Sequence, residues 1–260
     1  MEQLRTIHDI KTLDDYDFLD LGAGEGRSIQ SCANKIGGRG LGIELNKTKV
    51  ERAQKAGIEV VLGTSLDLDK IPGKVDYVVC DNFLEHLPSK NDVREVIKKA
   101  SLVTRKFIYI AHPSFEDIDY LKDKGLKTYW SDWYGHKSML TLSDMIEILN
   151  ECGIDWIQVK PVYKISDSDD ERILPIDAGI DQFSYDAKKH GKKPRPAIVF
   201  DRDIYYSFDI IGLMPEYAKE FPVMQYVDRL KKQNHPIITS WQDKQKSFKN
   251  KVKKALKLKR

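Results

Sequence analysis

Cysteine is scarce: Cys32, Cys80 and Cys152 are the only three in 260 residues, and they form no CxxC pair and no Cys/His cluster. That argues against a disulfide framework and against a zinc site, and no bound metal is expected. Long apolar runs are missing too. None approaches the roughly 18–20 residues that cross a bilayer, and the opening Met1-Glu-Gln-Leu-Arg lacks the apolar core of a signal peptide. A cytoplasmic protein is expected. Acidic residues are absent from 244–260, which carry eight lysines and one arginine. The formal charge of +3 is therefore a tail of +9 set on a body of −6. A mildly acidic body disfavours a surface that tracks nucleic-acid phosphates.

With 41% apolar residues, the chain can bury one full α/β domain. Apolar periodicity alternates between strand and helix: strands at 16–21, 40–45, 58–62, 75–80 and 106–111, and helices at 27–36, 47–56, 92–102 and 142–152. The segments 156–165 and 203–214 are rich in β-branched and aromatic residues with no clear helix between them, so they are expected to pair antiparallel. This pattern predicts an α/β fold: a doubly wound, mostly parallel seven-stranded sheet with an antiparallel last strand, plus cap insertions. The domain spans 1–215, with insertions at about 113–140 and 166–202. Loops of that length in a compact domain are usually covers or binding segments. A helical extension, 216–260, ends in the basic tail.

The first strand runs into Asp20-Leu-Gly-Ala-Gly-Glu-Gly26. Glycines at 22, 24 and 26 allow a tight turn and let a ligand lie on bare backbone, and the following helix offers unpaired amides. A dinucleotide loop would want glycine at position 27, where Arg27 stands, and Asp20 would repel a pyrophosphate but attract an ammonium. Glu44 ends the second strand and suits the hydroxyls of a ribose.

Asp20, Gly22, Gly24 and Gly26, then Glu44, then Val75-Asp-Tyr-Val-Val-Cys-Asp-Asn-Phe-Leu-Glu-His-Leu87 together resemble class I S-adenosylmethionine-dependent methyltransferases. The likeness covers about residues 16–153 and includes the subgroup that carries Glu-His after the fourth strand. It implies S-adenosyl-L-methionine as cofactor, with contacts from Asp20, Gly22, Ala23, Gly24, Gly26, Glu44, Leu45, Ser65, Leu66 and Asp81. Asp20 would face the amino-acid part and Glu44 the ribose. The family often has an acid just past the third strand for the adenine, but Gly63 is followed here by Thr64-Ser65. Asp67, or the backbone of Ser65 and Leu66, would serve instead.

His136 is the expected acceptor-side base, with His86 and His112 in reserve, because imidazole titrates near neutral pH. Tyr129, Trp130, Trp133 and Tyr134 either line an acceptor pocket or form the core of the cap. The run 188–195 is either a solvated loop or a contact for a phosphate-bearing acceptor. Nucleic-acid methylation is an alternative, but Asp81-Asn-Phe-Leu lacks both the Pro-Pro-aromatic and the Pro-Cys signatures. A non-catalytic cofactor-binding protein and a dinucleotide-dependent dehydrogenase are the other readings. The expected reaction is methylation, at oxygen, of a small-molecule or glycan acceptor. Phe248, Val252, Ala255 and Leu256 recur at helical spacing among the tail lysines. A basic amphipathic helix there would meet an anionic membrane and suit a lipid-linked acceptor; a solubilising tail is the bland alternative.

Overall fold

The computed structural model describes residues 4–180 and 183–220. Strands and helices alternate through β1 (Phe18–Leu21), α1 (Arg27–Lys35), β2 (Gly40–Glu44), α2 (Lys47–Lys55), β3 (Val60–Leu62), β4 (Val75–Asp81), α3 (Lys90–Val103) and β5 (Thr104–Pro113). After α4 (Ile118–Asp123) and β6 (Leu126–Thr128) come α5 (Leu142–Glu151), β7 (Trp156–Asp167), β8 (Ile173–Pro175), α6 (Ala187–His190), β9 (Val199–Leu213) and α7 (Pro215–Glu220). The expected basic helix at 244–260 lies outside the described residues.

Seven strands form one sheet in the order β3-β2-β1-β4-β5-β9-β7. All neighbours are parallel except β9, which runs antiparallel to both β5 and β7. The expected antiparallel last strand is thus β9, inserted between β5 and β7. The order reverses at β1, so the carboxyl ends of β1 and β4 flank a crevice, where open α/β sheets bind ligands.

Strand alternation divides the core between two faces. Leu19, Leu21, Val78 and Cys80 face α3 and α5, packing against Val93, Val96, Ile97, Met145 and Ile148. Phe18, Tyr77 and Val79 face α1 and α2, against Ile29, Cys32, Val50 and Ala53. The helices start where their sequences cap them. Ser89 Oγ accepts the Asp92 amide at the head of α3, and Thr141 with Asp144 forms a capping box on α5.

One feature was not foreseen. β6 and β8 pair antiparallel as a separate two-stranded sheet, with Leu126 opposite Pro175 and Thr128 opposite Ile173. The stretch after β5 and the stretch after β7 are thereby tied into one cap with its own core of Phe115, Leu121, Leu126, Trp130, Ile165, Ile173, Phe200 and Ile204. Lys127 is 7% exposed in this cap and is neutralised by Asp132 at 2.6 Å.

Candidate active site

The glycine loop is held by its own backbone and by β2. The amides of Gly22 and Ala23 donate to the Ile43 carbonyl at 2.9 and 3.2 Å. Glu44 Oε2 accepts the Gly24 amide at 2.9 Å and Oε1 accepts the Asn46 amide at 2.7 Å. Gly22 has φ +72°, and a Cβ there would lie 2.3 Å from the Phe83 ring. Gly24, at φ +57°, has open space where its side chain would be. One glycine is thus demanded by packing and the other leaves a bare ledge.

Through Gly22 the loop borders a cavity of about 700 Å³ that is also lined by Glu44, Leu45, Thr64, Ser65 and Leu66, with Asn82, His86 and Trp133. Asp20 lies beneath the loop, 1% exposed, and accepts the Ser28 hydroxyl. Burial pushes its carboxyl up to about 7, against the pull of Ser28, and the charges of Asp81 and Glu44 add to the rise.

A smaller cavity, about 160 Å³, adjoins it; Asn82, His86 and Trp133 line both, and Glu85, Trp130 and His136 lie on the smaller side. Its shape rests on the turn after β4. The Glu85 carbonyl accepts the amides of Lys137 and Ser138 at 2.8 and 3.0 Å, and Ser138 Oγ donates to the Leu87 carbonyl at 2.8 Å. These bonds bring His136 beside His86, with ring centroids 5.2 Å apart. His86 Nδ1 donates to the Gly135 carbonyl at 3.0 Å and His136 Nδ1 to the Trp130 carbonyl at 2.8 Å. A carbonyl can only accept, so each Nδ1 carries the proton and each Nε2 keeps its lone pair. Burial pushes the His136 imidazole below its usual range.

Residues 18–106 match the family described as a methyltransferase domain. Over those residues the chain carries a methyltransferase domain. The methyltransferase is also similar in fold to a SAM-dependent methyltransferase from Archaeoglobus fulgidus, at 18% identity and TM-score 0.53, over 75% of this chain and 85% of that one. A putative methyltransferase from Bacillus halodurans C-125 aligns at 16% identity and TM-score 0.51, over 80% of this chain and 96% of the other. No curated protein matches the sequence. The larger cavity meets the features that the likeness to S-adenosylmethionine-dependent enzymes leads one to expect: glycine backbone at Gly22, a half-buried carboxylate, Glu44, at the end of β2, and the buried acid Asp20 nearby in the same loop.

Five of the ten residues expected around that cofactor, Gly22, Glu44, Leu45, Ser65 and Leu66, line this cavity. Ala23 turns its side chain into the core, leaving only backbone toward a ligand. Gly26 serves as the N-cap of α1. Ser65 and Leu66 line the cavity, whereas Asp67 is paired with Lys70 at 2.5 Å.

Asp81 departs from expectation. It shares the parity of Tyr77 and Val79 along β4, so its side chain falls on the α1 face and lines a separate cavity of about 490 Å³ with Tyr109 and Asp209. His112 also departs, from its role as a reserve base. It is 3% exposed and lines neither of the adjoining cavities, because alternation along β5 turns it inward with Ile108 and Ile110. Its Nε2 donates to the Leu140 carbonyl at 3.2 Å, and its Nδ1 stands 3.6 Å from Glu85 Oε2.

Of the aromatics, Tyr129, Trp130 and Trp133 line the smaller cavity while Tyr134 is 72% exposed. Part of the basic run 188–195 is structural: Lys193 is buried on the Asp170 carbonyl and Arg195 pairs with Asp169 at 2.9 Å.

The absence of a metal-ligand cluster holds only along the sequence. In space, Glu85, His86 and His136 present ligand-capable atoms within 4.8 Å of one another. Glu85 received no role of its own from sequence. The adjoining Glu-His signal was visible, but its partner lies about fifty residues downstream.

Asp20 generates a pH-dependent expectation. Its folded pKa, about 7, lies above that of an unfolded carboxyl. The folded state therefore holds the extra proton, and the stability tied to it is lost as pH rises toward 7. Asp20→Asn, which keeps an acceptor for Ser28, is expected to raise the melting temperature of the cofactor-free protein more at pH 8 than at pH 5. The difference is on the order of a few kcal/mol and develops mostly between about pH 4 and 7. An equal gain at both pH values in thermal denaturation contradicts this.

Proposed function

We propose that the enzyme methylates a hydroxyl oxygen of a small-molecule or glycan acceptor seated in the smaller cavity, and that the histidine cluster activates that hydroxyl. One observation carries the reading: Asn82, His86 and Trp133 border both cavities. An acceptor packed against the cap therefore meets the cofactor site beside two imidazoles whose Nδ1 atoms are held by main-chain carbonyls. When bound, S-adenosylmethionine supplies an electrophilic methyl group on a cationic sulfur, open to in-line attack. The protein's part is to align the acceptor and receive its proton. His136, half-buried and held by the Trp130 carbonyl, is assigned as the base, with His86 beside it.

On the cofactor side, Asp20 answers the ammonium and Glu44 the ribose hydroxyls. Gly22, Ala23, Gly24 and Gly26 offer backbone, and Leu45, Ser65 and Leu66 flank the adenine. Both Glu44 oxygens accept one amide each and can accept again, since a carboxylate offers about four lone-pair sites. Glu44→Ala is expected to weaken S-adenosylmethionine binding by roughly 1–3 kcal/mol in titration calorimetry. Unchanged affinity removes Glu44 from the cofactor site.

His136→Ala is expected to lower turnover at least ~100-fold, the low end for loss of a general base, with cofactor affinity within about twofold. The assay is release of S-adenosylhomocysteine against a panel of hydroxylated small molecules and glycans. Full activity of the variant on an acceptor that the parent methylates excludes His136.

We extend the proposal to location. The run 244–260, outside the described residues, carries nine positive charges, each worth about 1 kcal/mol near an anionic leaflet. This supports work at the inner face of a membrane, on a lipid-linked acceptor such as a glycan under assembly. Among the described residues, no helix is long and apolar enough to cross a membrane. In vesicle flotation at low salt, the full chain is expected to rise with anionic but not neutral vesicles, and a chain ending at Gln242 is not. Equal behaviour of the two chains rejects membrane contact.

A further inference from the structure

We propose that Glu85, His86 and His136 form a binding site for one divalent transition-metal ion, at the junction of the cofactor and acceptor cavities. The inference deepens the oxygen-acceptor reading and rests on it for its catalytic meaning. An ion held there would ligate and acidify the acceptor hydroxyl, whose proton would leave to bulk water on the open side beside His86, in place of direct proton acceptance by His136.

The argument begins with Glu85. Its side chain is 1% exposed, and neither carboxylate oxygen has a hydrogen-bond partner. Buried carboxylates are ordinarily paired or coordinated. The groups that face this one worsen its position. His86 and His136 each donate Nδ1–H to a main-chain carbonyl, Gly135 and Trp130. His112 donates Nε2–H to the Leu140 carbonyl, and its Nδ1 is likewise without a partner. With those donors spent on the backbone, each imidazole in its neutral form has only a lone pair to turn toward the Glu85 carboxyl, which His112 Nδ1 approaches to 3.6 Å. Such an assembly of acceptors calls for a cation.

The arrangement also matches how proteins prepare histidine ligands. A metal-bound imidazole usually gives its other N–H to a carbonyl or carboxylate, which fixes the tautomer and the ring plane. Both histidines of the cluster already have that outer partner. The three ligand atoms lie within 4.8 Å of one another. Bonds of about 2.0–2.2 Å in a tetrahedral site require ligand spacings of roughly 3.4 Å, so side-chain adjustments of about an ångström close the site. Two imidazoles and one carboxylate favour Zn²⁺, Co²⁺, Mn²⁺ or Fe²⁺ over Mg²⁺ or Ca²⁺, which prefer all-oxygen sets. His86 is exposed, which gives the ion a path in, and only three protein ligands leave positions for an acceptor oxygen. His112 lies behind Glu85, 3.6 Å from Oε2, as a positioning residue.

The test uses the full-length protein stripped with a chelator and dialysed, then titrated separately with ZnCl₂, CoCl₂ and MnCl₂. Metal content is read by mass spectrometry. Binding is read by Trp fluorescence, since Trp133 lies 4.8 Å from the His136 ring, and by the visible spectrum of bound Co²⁺. One equivalent is expected per chain for at least one ion. His86→Ala and His136→Ala are each expected to weaken binding at least ~100-fold, while His8→Ala, at an exposed site away from the cavity, leaves it unchanged. Circular dichroism of the two histidine variants confirms that they fold, so Glu85→Gln, which alters a buried group, need not carry the result alone. No saturable binding by the parent, or equal binding by the histidine variants, overturns the proposal. If the parent binds no ion yet His136→Ala abolishes methyl transfer, the metal site falls and the histidine-base reading stands. If the ion binds as described but His136→Ala keeps full turnover, the metal site stands and the reading of the acceptor chemistry falls.

Discussion

The Glu85 carbonyl oxygen accepts two amide protons, from Lys137 and Ser138, and the acceptor side of the molecule hangs from that double hydrogen bond. It docks a segment of the cap onto the turn after β4. Together with the Ser138 hydroxyl on the Leu87 carbonyl, it fixes His136 relative to His86, which stands fifty positions away. With it, the loop carbonyls of Trp130 and Gly135 come into range of the two rings and set their tautomers. The bond is main chain to main chain, so no side-chain choice at 137 or 138 can abolish it short of proline. The backbone of Glu85 thus bears the architecture without engaging its side chain.

The cofactor side works on an opposite plan. Here charge is concentrated and held close to neutral. Asp20 sits under the glycine loop in a setting that resists ionisation, with Asp81 and Glu44 adding to the unfavourable field. A cationic ligand relieves this field where a pyrophosphate would deepen it. The same argument first separated a sulfonium cofactor from a dinucleotide in the sequence, and the burial of Asp20 sharpens it.

The doubly wound sheet was legible because its signals are local: apolar runs of strand length, helices capped by Ser89 and Thr141, and glycines between them. The antiparallel β9 was legible from a missing crossover helix. What escaped was whatever depends on contacts between distant segments. Asp81 was placed by the family likeness and His112 by its residue type, yet strand parity decides which face a side chain meets, and it turned one to the α1 side and the other into the core. The β6–β8 pair was invisible because three-residue strands carry no usable periodicity. The Glu85, His86 and His136 grouping escaped for the same reason: ligand spacing along a chain reveals only sites built within one element or turn.

The two-stranded β6–β8 sheet has a consequence for how the acceptor cavity is reached. A cover made of one loop can peel back about its two ends. Here residues 126–128 and 173–175, from separate excursions of the chain, are stitched together above a shared apolar core. Neither can lift without breaking the ladder or dragging the other along. The cap therefore moves as one body or not at all, and on the proposed reading an acceptor enters past the exposed His86. A cover of that kind selects by reach, favouring a group near the end of a molecule over one in its middle.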